Sequence, residues 1–149
     1  MIFVDIAIAV LLFLAIFIFV GTRLLRSHIL KKANTVTPLQ LDSLLKQGKE
    51  VLLVDIRSKR SFNGLLGHIE GSVNLPAGEL EKTLKGKGLS DFSDVRVVII
   101  DETDTFAGLA FYNRLKSCGL SDSCLLLGGL AMWIRNKLPT VRGEEGSKE

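Results

Sequence analysis

The chain has 149 residues, 47% of them hydrophobic, with 19 Lys and Arg against 16 Asp and Glu for a formal net charge of +3, and two cysteines. That length holds one ordinary domain, two cysteines make no disulfide framework, and few aromatics with no basic stripe among them exclude a nucleic-acid partner. Much of the apolar content lies in the first 32 residues, which leaves about 110 for one soluble core.

Ile6 to Thr22 is an uncharged run, and Ile2-Phe3-Val4 ahead of Asp5 extends it to the roughly 20 residues that cross a bilayer core. A cleaved signal peptide has a basic leading region and a small-residue cleavage site. Here the leading region is acidic, and Arg23, Arg26, Lys31 and Lys32 follow the run. A buried core helix would fit poorly, because the run has no polar face. We expect a permanent single-pass anchor over residues 1–32, with the lipid bilayer as its partner. The basic residues on its carboxyl side place the following domain in the cytoplasm.

The domain is expected over residues 33–142. Asn34-Thr35-Val36 is a linker or first strand. Thr37-Pro38-Leu39-Gln40 has the form of a helix start, with Thr37 as N-cap, Pro38 at the first helical position and Gln40 closing a capping box. Leu41, Leu44 and Leu45 share one face of this helix, which stops near Gly48. Val51-Leu52-Leu53-Val54 is a continuous apolar strand of the kind a parallel sheet buries on both faces. Ser58 to Leu66 is a short helix and loop, and Ser72 to Leu75 a brief strand ended by Pro76. Glu79 to Leu84 predicts a helical turn or two before a Gly86-Lys87-Gly88 loop. Val95 to Ile100 is the second strong strand. The helix after it aligns Ala107, Phe111, Leu115 and Cys118 on one stripe, with Asn113, Arg114 and Lys116 turned away. Gly119 stops it, with Leu120 making the accompanying apolar contact. Leu125-Leu126-Leu127 is a last strand, and Gly128-Gly129 opens a helix with Met132, Trp133 and Ile134. Residues 143–149 are a polar tail expected to be disordered. Strands alternating with helices imply an open parallel sheet.

Val54-Asp55-Ile56-Arg57, followed by Gly67-His68-Ile69-Glu70-Gly71-Ser72-Val73-Asn74-Leu75-Pro76, resembles the "D-x-R … G-H-I-x-G-A-x-N-h-P" signature of rhodanese (sulfurtransferase) domains. Leu127-Gly128-Gly129-Leu130-Ala131-Met132-Trp133, with Leu138-Pro139 beyond, is similar to their closing "h-x-G-G-h-x-x-W … L-P" signature. The resemblance runs from about Thr35 to Val141. It implies an α/β fold, a rhodanese-like open parallel sheet flanked by helices, here preceded by one N-terminal transmembrane helix. With that anchor, the chain is similar to single-domain rhodanese-like proteins of the bacterial inner membrane.

The residues of these signatures have physical roles of their own. Gly67, Gly71 and Gly129 suit positive φ or close backbone approach. Asp55 and Arg57 are expected to fix a loop by hydrogen bonds, His68 to bond a loop carbonyl, and Trp133 to anchor the core. The resemblance also implies a nucleophilic cysteine at the end of the Val95–Ile100 strand, in a loop of the form C-R-x-G-x-R. This chain has Asp101-Glu102-Thr103-Asp104-Thr105-Phe106 there, without the cysteine, the glycine or either arginine. Three carboxylates at the site repel an anionic sulfur donor, by roughly 1 kcal/mol per contact near 4 Å in water and roughly 4 at a partly buried site.

A weak Mg²⁺ site from Asp101, Glu102 and Asp104 is conceivable. The simpler expectation is an acidic loop capping the following helix, with no metal and no cofactor. Cys118 and Cys124 are read as small core residues. Two functions compete. The leading one is a catalytically inactive, membrane-tethered module for an unidentified protein partner that is itself membrane-associated. The alternative is a sulfurtransferase using Cys118 or Cys124 as an unconventional acceptor.

Overall fold

The computed structural model describes residues 2–30, 33–80, 82, 95–103 and 105–142, and in the first range the side chains of residues 8, 10–22 and 24. The chain forms two compact units, Met1–Lys32 and Ala33–Glu149.

The first unit is one helix, α1 (Ile2–Leu30). Its described large apolar side chains are exposed, Phe13 by 72% and Phe17 by 67%. Among the described residues no helix is long and apolar enough to cross a membrane. The membrane crossing expected from the sequence is therefore not found among the described residues.

The second unit is an α/β domain. It runs through β1 (Thr35–Val36), α2 (Pro38–Lys46), β2 (Val51–Asp55), α3 (Lys59–Phe62), β3 (Val73–Asn74), a 3₁₀ turn (Ala77–Glu79), β4 (Arg96–Ile100), α4 (Phe106–Ser117), β5 (Ser123–Leu126) and α5 (Gly129–Arg135). The five strands are parallel in the order β1-β5-β4-β2-β3. In register, Val51 to Asp55 lie beside Arg96 to Ile100. Because side chains alternate along a strand, Val98 and Ile100 of β4 enter one core with Cys124, Leu126, Leu41, Leu130 and Trp133. Val97 and Ile99 point to the opposite face, where α4 packs on β4 and β5.

The caps follow from side-chain chemistry. Thr37 and Gln40 form the reciprocal capping box of α2. At the end of α4, Gly119 takes φ 92°. The N–H groups of Leu120 and Gly119 donate to the carbonyls of Leu115 and Lys116, both at 3.1 Å, a Schellman closure.

Three expectations are corrected. The buried face of α4 is Gly108, Phe111, Tyr112 and Leu115; Ala107 is exposed, because the helix begins at Phe106 and turns Gly108 toward the sheet. Cys118 is the C-cap of that helix and only half-buried. The last strand starts at Ser123 and ends before Leu127. Ser123 is fully buried, its hydroxyl donating to the Leu120 carbonyl at 2.8 Å, so a polar residue opens a strand that apolarity alone would start later. Half of the helix expected over Glu79–Leu84 (residues 81, 83 and 84), the Gly86-Lys87-Gly88 loop and the tail 143–149 lie outside the described residues.

Candidate functional site

The sheet reverses its strand order between β2 and β4, since β3 lies outward of β2 on one side and β4 and β5 on the other. Ligands of open α/β sheets bind beyond the carboxyl ends of the strands at such a point. The residues gathered there are Asp55 at the end of β2 and Arg57 beyond it, Asp101 and Glu102 after β4, and Gly128-Gly129 after β5.

Asp55 is wholly buried and Arg57 is 5% exposed. The Arg57 guanidinium grips the carboxylate with Nε at 3.0 and 3.1 Å from its two oxygens and Nη2 at 2.7 Å, while the Arg57 backbone N–H adds a bond of 3.0 Å. Nη2 also donates to the Gly67 carbonyl at 2.8 Å, and Nη1 reaches Glu102 at 3.5 Å. This pair therefore fixes the β2–β3 loop. The Asn74 side chain donates to the carbonyls of Asp55 and Arg57. The His68 ring stacks on Phe62 at 3.6 Å, and its Nδ1 lies 3.0 Å from the Phe62 carbonyl, so that nitrogen carries the proton. Gly67 has φ 65°, and a Cβ on it would strike the Val141 carbonyl. His68 and Val141 then exchange two backbone hydrogen bonds of 2.8 Å. Gly71 has φ 79° and open space around it.

Asp101 is half-buried. One carboxylate oxygen accepts the Glu102 N–H at 2.7 Å, and the other accepts the Thr105 hydroxyl. Thr105 is the N-cap of α4, with its hydroxyl oxygen accepting the Gly108 N–H at 3.3 Å. A Cβ on Gly108 would lie 3.1 Å from an Asp101 carboxylate oxygen, so this glycine makes room for the carboxylate. Burial pushes the Asp101 carboxyl above its ordinary 3.8; the backbone donors of Glu102 and Gly108 pull it down, and the Asp55 and Glu102 carboxylates raise it. The cap of α4 is thus a threonine hydroxyl, and the acidic loop serves the helix through Asp101 holding that threonine. Thr103 is exposed, and Asp104 lies outside the described residues.

The loop is also tied to α5. The carbonyls of Asp101 and Glu102 accept the N–H groups of Leu130 and Ala131 at 2.8 and 3.0 Å. Gly128 and Gly129 have φ 75° and 57°, and a Cβ on Gly129 would meet the backbone of Asp101 and Glu102. Trp133 is 2% exposed, and its Nε1–H donates to the Pro139 carbonyl at 2.8 Å.

Sequence reasoning missed Gly108 and the role of Thr105; the available signal was a threonine standing just before an apolar helical pattern. Cys124 sits within β5, 7% exposed, and burial pushes its thiol up to about 11. Among the described residues no group of three or more His, Cys, Asp or Glu side chains is placed to hold a metal ion.

The family model for the rhodanese-like domain matches residues 37–136. The chain belongs to the rhodanese-like domain family. This rhodanese-like chain is 30% identical over 91 residues to an uncharacterized protein of Buchnera aphidicola, covering 61% of the chain and 60% of that relative. It is 25% identical over 110 residues, 74% of the chain, to a probable adenylyltransferase/sulfurtransferase of Mycobacterium tuberculosis, MoeZ, of which it covers 27%. It therefore spans 60% of the length of the first relative and 27% of the second. Among solved structures, the rhodanese-related protein of Thermoplasma volcanium superposes with a TM-score of 0.62 at 22% identity, over 74% of this chain and 99% of that one.

Proposed function

We propose that this chain is a rhodanese-like domain that no longer transfers sulfur and acts as a protein-interaction module, held at the cytoplasmic face of the bacterial inner membrane by α1. The observation that carries this reading is Asp101 at the end of β4. By the resemblance, a rhodanese needs a thiolate at this strand end, in a loop whose N–H groups stabilise anions. The side chain here is a carboxylate whose oxygens already take the Glu102 N–H and the Thr105 hydroxyl. It offers no thiol to accept sulfur and sets a carboxylate where an anionic thiosulfate would approach.

Neither cysteine substitutes. Cys118 caps the far end of α4 from this loop. Cys124, with its thiol near 11, keeps about one part in ten thousand as thiolate at neutral pH.

The tether rests on the uncharged run Ile6 to Thr22, the exposure of apolar side chains such as Phe13 and Phe17 in α1, and the basic residues that follow. Sulfur transfer from thiosulfate to cyanide by the full chain tests the loss of activity, with background rates expected. Turnover abolished by Cys118→Ser or Cys124→Ser would reverse it. For the tether, protease added outside spheroplasts should spare the domain; cleavage of the domain there would contradict the topology.

A further inference from the structure

The β2–β3 loop and the loop after β4 are joined by two routes. The short one is the Arg57 side chain, which donates to the Gly67 carbonyl at 2.8 Å and reaches Glu102 at 3.5 Å. The long one passes through residues 138–142, a strap that follows α5. His68 and Val141 exchange two backbone hydrogen bonds of 2.8 Å, and Arg142 Nε donates to the Leu65 carbonyl at 3.1 Å. Nearer α5, the Pro139 carbonyl accepts the Trp133 Nε1–H at 2.8 Å, and the Leu138 N–H donates to the Trp133 carbonyl at 3.3 Å. Trp133 belongs to α5, whose Leu130 and Ala131 N–H groups hold the Asp101 and Glu102 carbonyls. The two routes close a circuit of bonds around the candidate site.

The links of this circuit are unequally buried. Arg57 is 5% exposed, Trp133 2% and Leu130 not at all. Leu138 packs against the core, but beyond it Pro139 and Arg142 are exposed and Val141 is half-buried. Backbone bonds in a lightly buried segment break in local openings that leave the core intact.

The strap is also strained where it begins. Lys137 has φ 57°, and it is the one non-glycine residue with positive φ among the described residues. It follows Asn136, the C-cap of α5, a place where glycine is usual because a Cβ is crowded in the left-handed conformation. Its N–H donates to the Ile134 carbonyl at 2.8 Å, so the strained residue both closes α5 and turns the chain into the strap. Release there relieves the strain and frees the bonds of Trp133, His68 and Leu65. A helix of seven residues has little stability of its own, so α5 depends on such outside ties to keep its first turn on the Asp101 loop.

We infer that residues 137–142 are a latch on the candidate site, hinged at Lys137, whose release loosens the β2–β3 loop and the loop after β4 together. Whatever grips the strap thereby acts on the Asp101 loop without touching it. The latch is independent of whether that loop transfers sulfur.

The test is amide hydrogen exchange on the full chain in detergent micelles. In the parent chain the His68, Leu130 and Ala131 amides should exchange through one shared opening, faster than the amides of β4. Val141→Pro removes the N–H that His68 accepts. It should speed exchange at His68 about tenfold, a local loss of about 1.4 kcal/mol, and at Leu130 and Ala131 several-fold, with β4 unchanged. Trp133 is the single tryptophan of the chain, so its emission should shift to the red in this variant. Lys137→Gly relieves the hinge without disturbing the fold and should slow exchange at the same three amides. Faster exchange at His68 alone, equal acceleration throughout β4, an unshifted Trp133 emission in Val141→Pro, or rates untouched by Lys137→Gly would each overturn the inference.

Discussion

A Cβ on Gly129 would lie 2.5 Å from the carbonyl oxygen of Asp101, the same oxygen that accepts the Leu130 N–H at 2.8 Å. The absent side chain lets the amino end of α5 close on the loop that follows β4. The path of that loop is therefore set as much by the Gly128-Gly129 pair as by its own residues.

Gly129→Ala should cost more than Gly71→Ala. Both glycines have positive φ, but a Cβ at Gly71 meets open space. Strain alone costs Gly71→Ala about 1–2 kcal/mol; at Gly129 the overlap with backbone adds roughly 1–3 kcal/mol. Urea unfolding of both variants checks this, and equal losses would contradict the contact.

Arg57→Met leaves the wholly buried Asp55 carboxylate with its backbone donor but no counter-charge. Removing one partner of a buried ion pair destabilises by about 3–5 kcal/mol. Adding Asp55→Asn should restore part of that loss, because the uncompensated charge is gone. A double-mutant cycle by denaturant unfolding measures the coupling; additive losses would mean that the two residues act independently.

Asp101 gives the fold a pH dependence of known sign. Burial raises its carboxyl pKa in the folded chain. Above the unfolded value of about 3.9 and below the raised folded one, the folded protein therefore holds a proton that the unfolded chain has released. Stability from this group is fully present below the unfolded value and is lost as pH rises through the folded one. Asp101→Asn removes the titration, so its stability relative to the parent should increase as pH is raised from about 4 to 6. Thermal unfolding across that range should show the two curves diverging; parallel curves would refute the assignment.

Restoring a nucleophile should require more than a thiol. In Asp101→Cys the new sulfur sits beside Glu102, and by sequence near Asp104, and neighbouring carboxylates raise a thiol's pKa and repel thiosulfate. The single variant should stay near background in thiosulfate:cyanide turnover. Asp101→Cys combined with Glu102→Arg, Asp104→Gly and Phe106→Arg should show measurable transfer. Equal rates from the single and combined variants would contradict this electrostatic account.

The fold was legible because its strongest signals are local and periodic. The Thr37–Gln40 box, the apolar strands Val51–Val54 and Val95–Ile100, and the Gly119 stop need no tertiary knowledge to recognise. Asp55, Arg57, Gly67, His68 and Trp133 could be given structural roles because their side-chain chemistry in those signatures admits few others. What sequence could not supply depends on three-dimensional approach. The start of β5 at Ser123 hides behind a hydroxyl satisfied by the Leu120 carbonyl. The turn of Gly108 rather than Ala107 toward the sheet depends on where Thr105 caps the helix.

The most direct test of the non-catalytic reading is the intact mass of the wild-type chain after exposure to thiosulfate. A sulfurtransferase that accepts sulfur on a cysteine gains one sulfur atom as a persulfide. We predict an unchanged mass, because Asp101 holds the strand-end position and Cys118 and Cys124 are a helix cap and a buried strand residue. A one-sulfur adduct that disappears in Cys118→Ser or Cys124→Ser would contradict it.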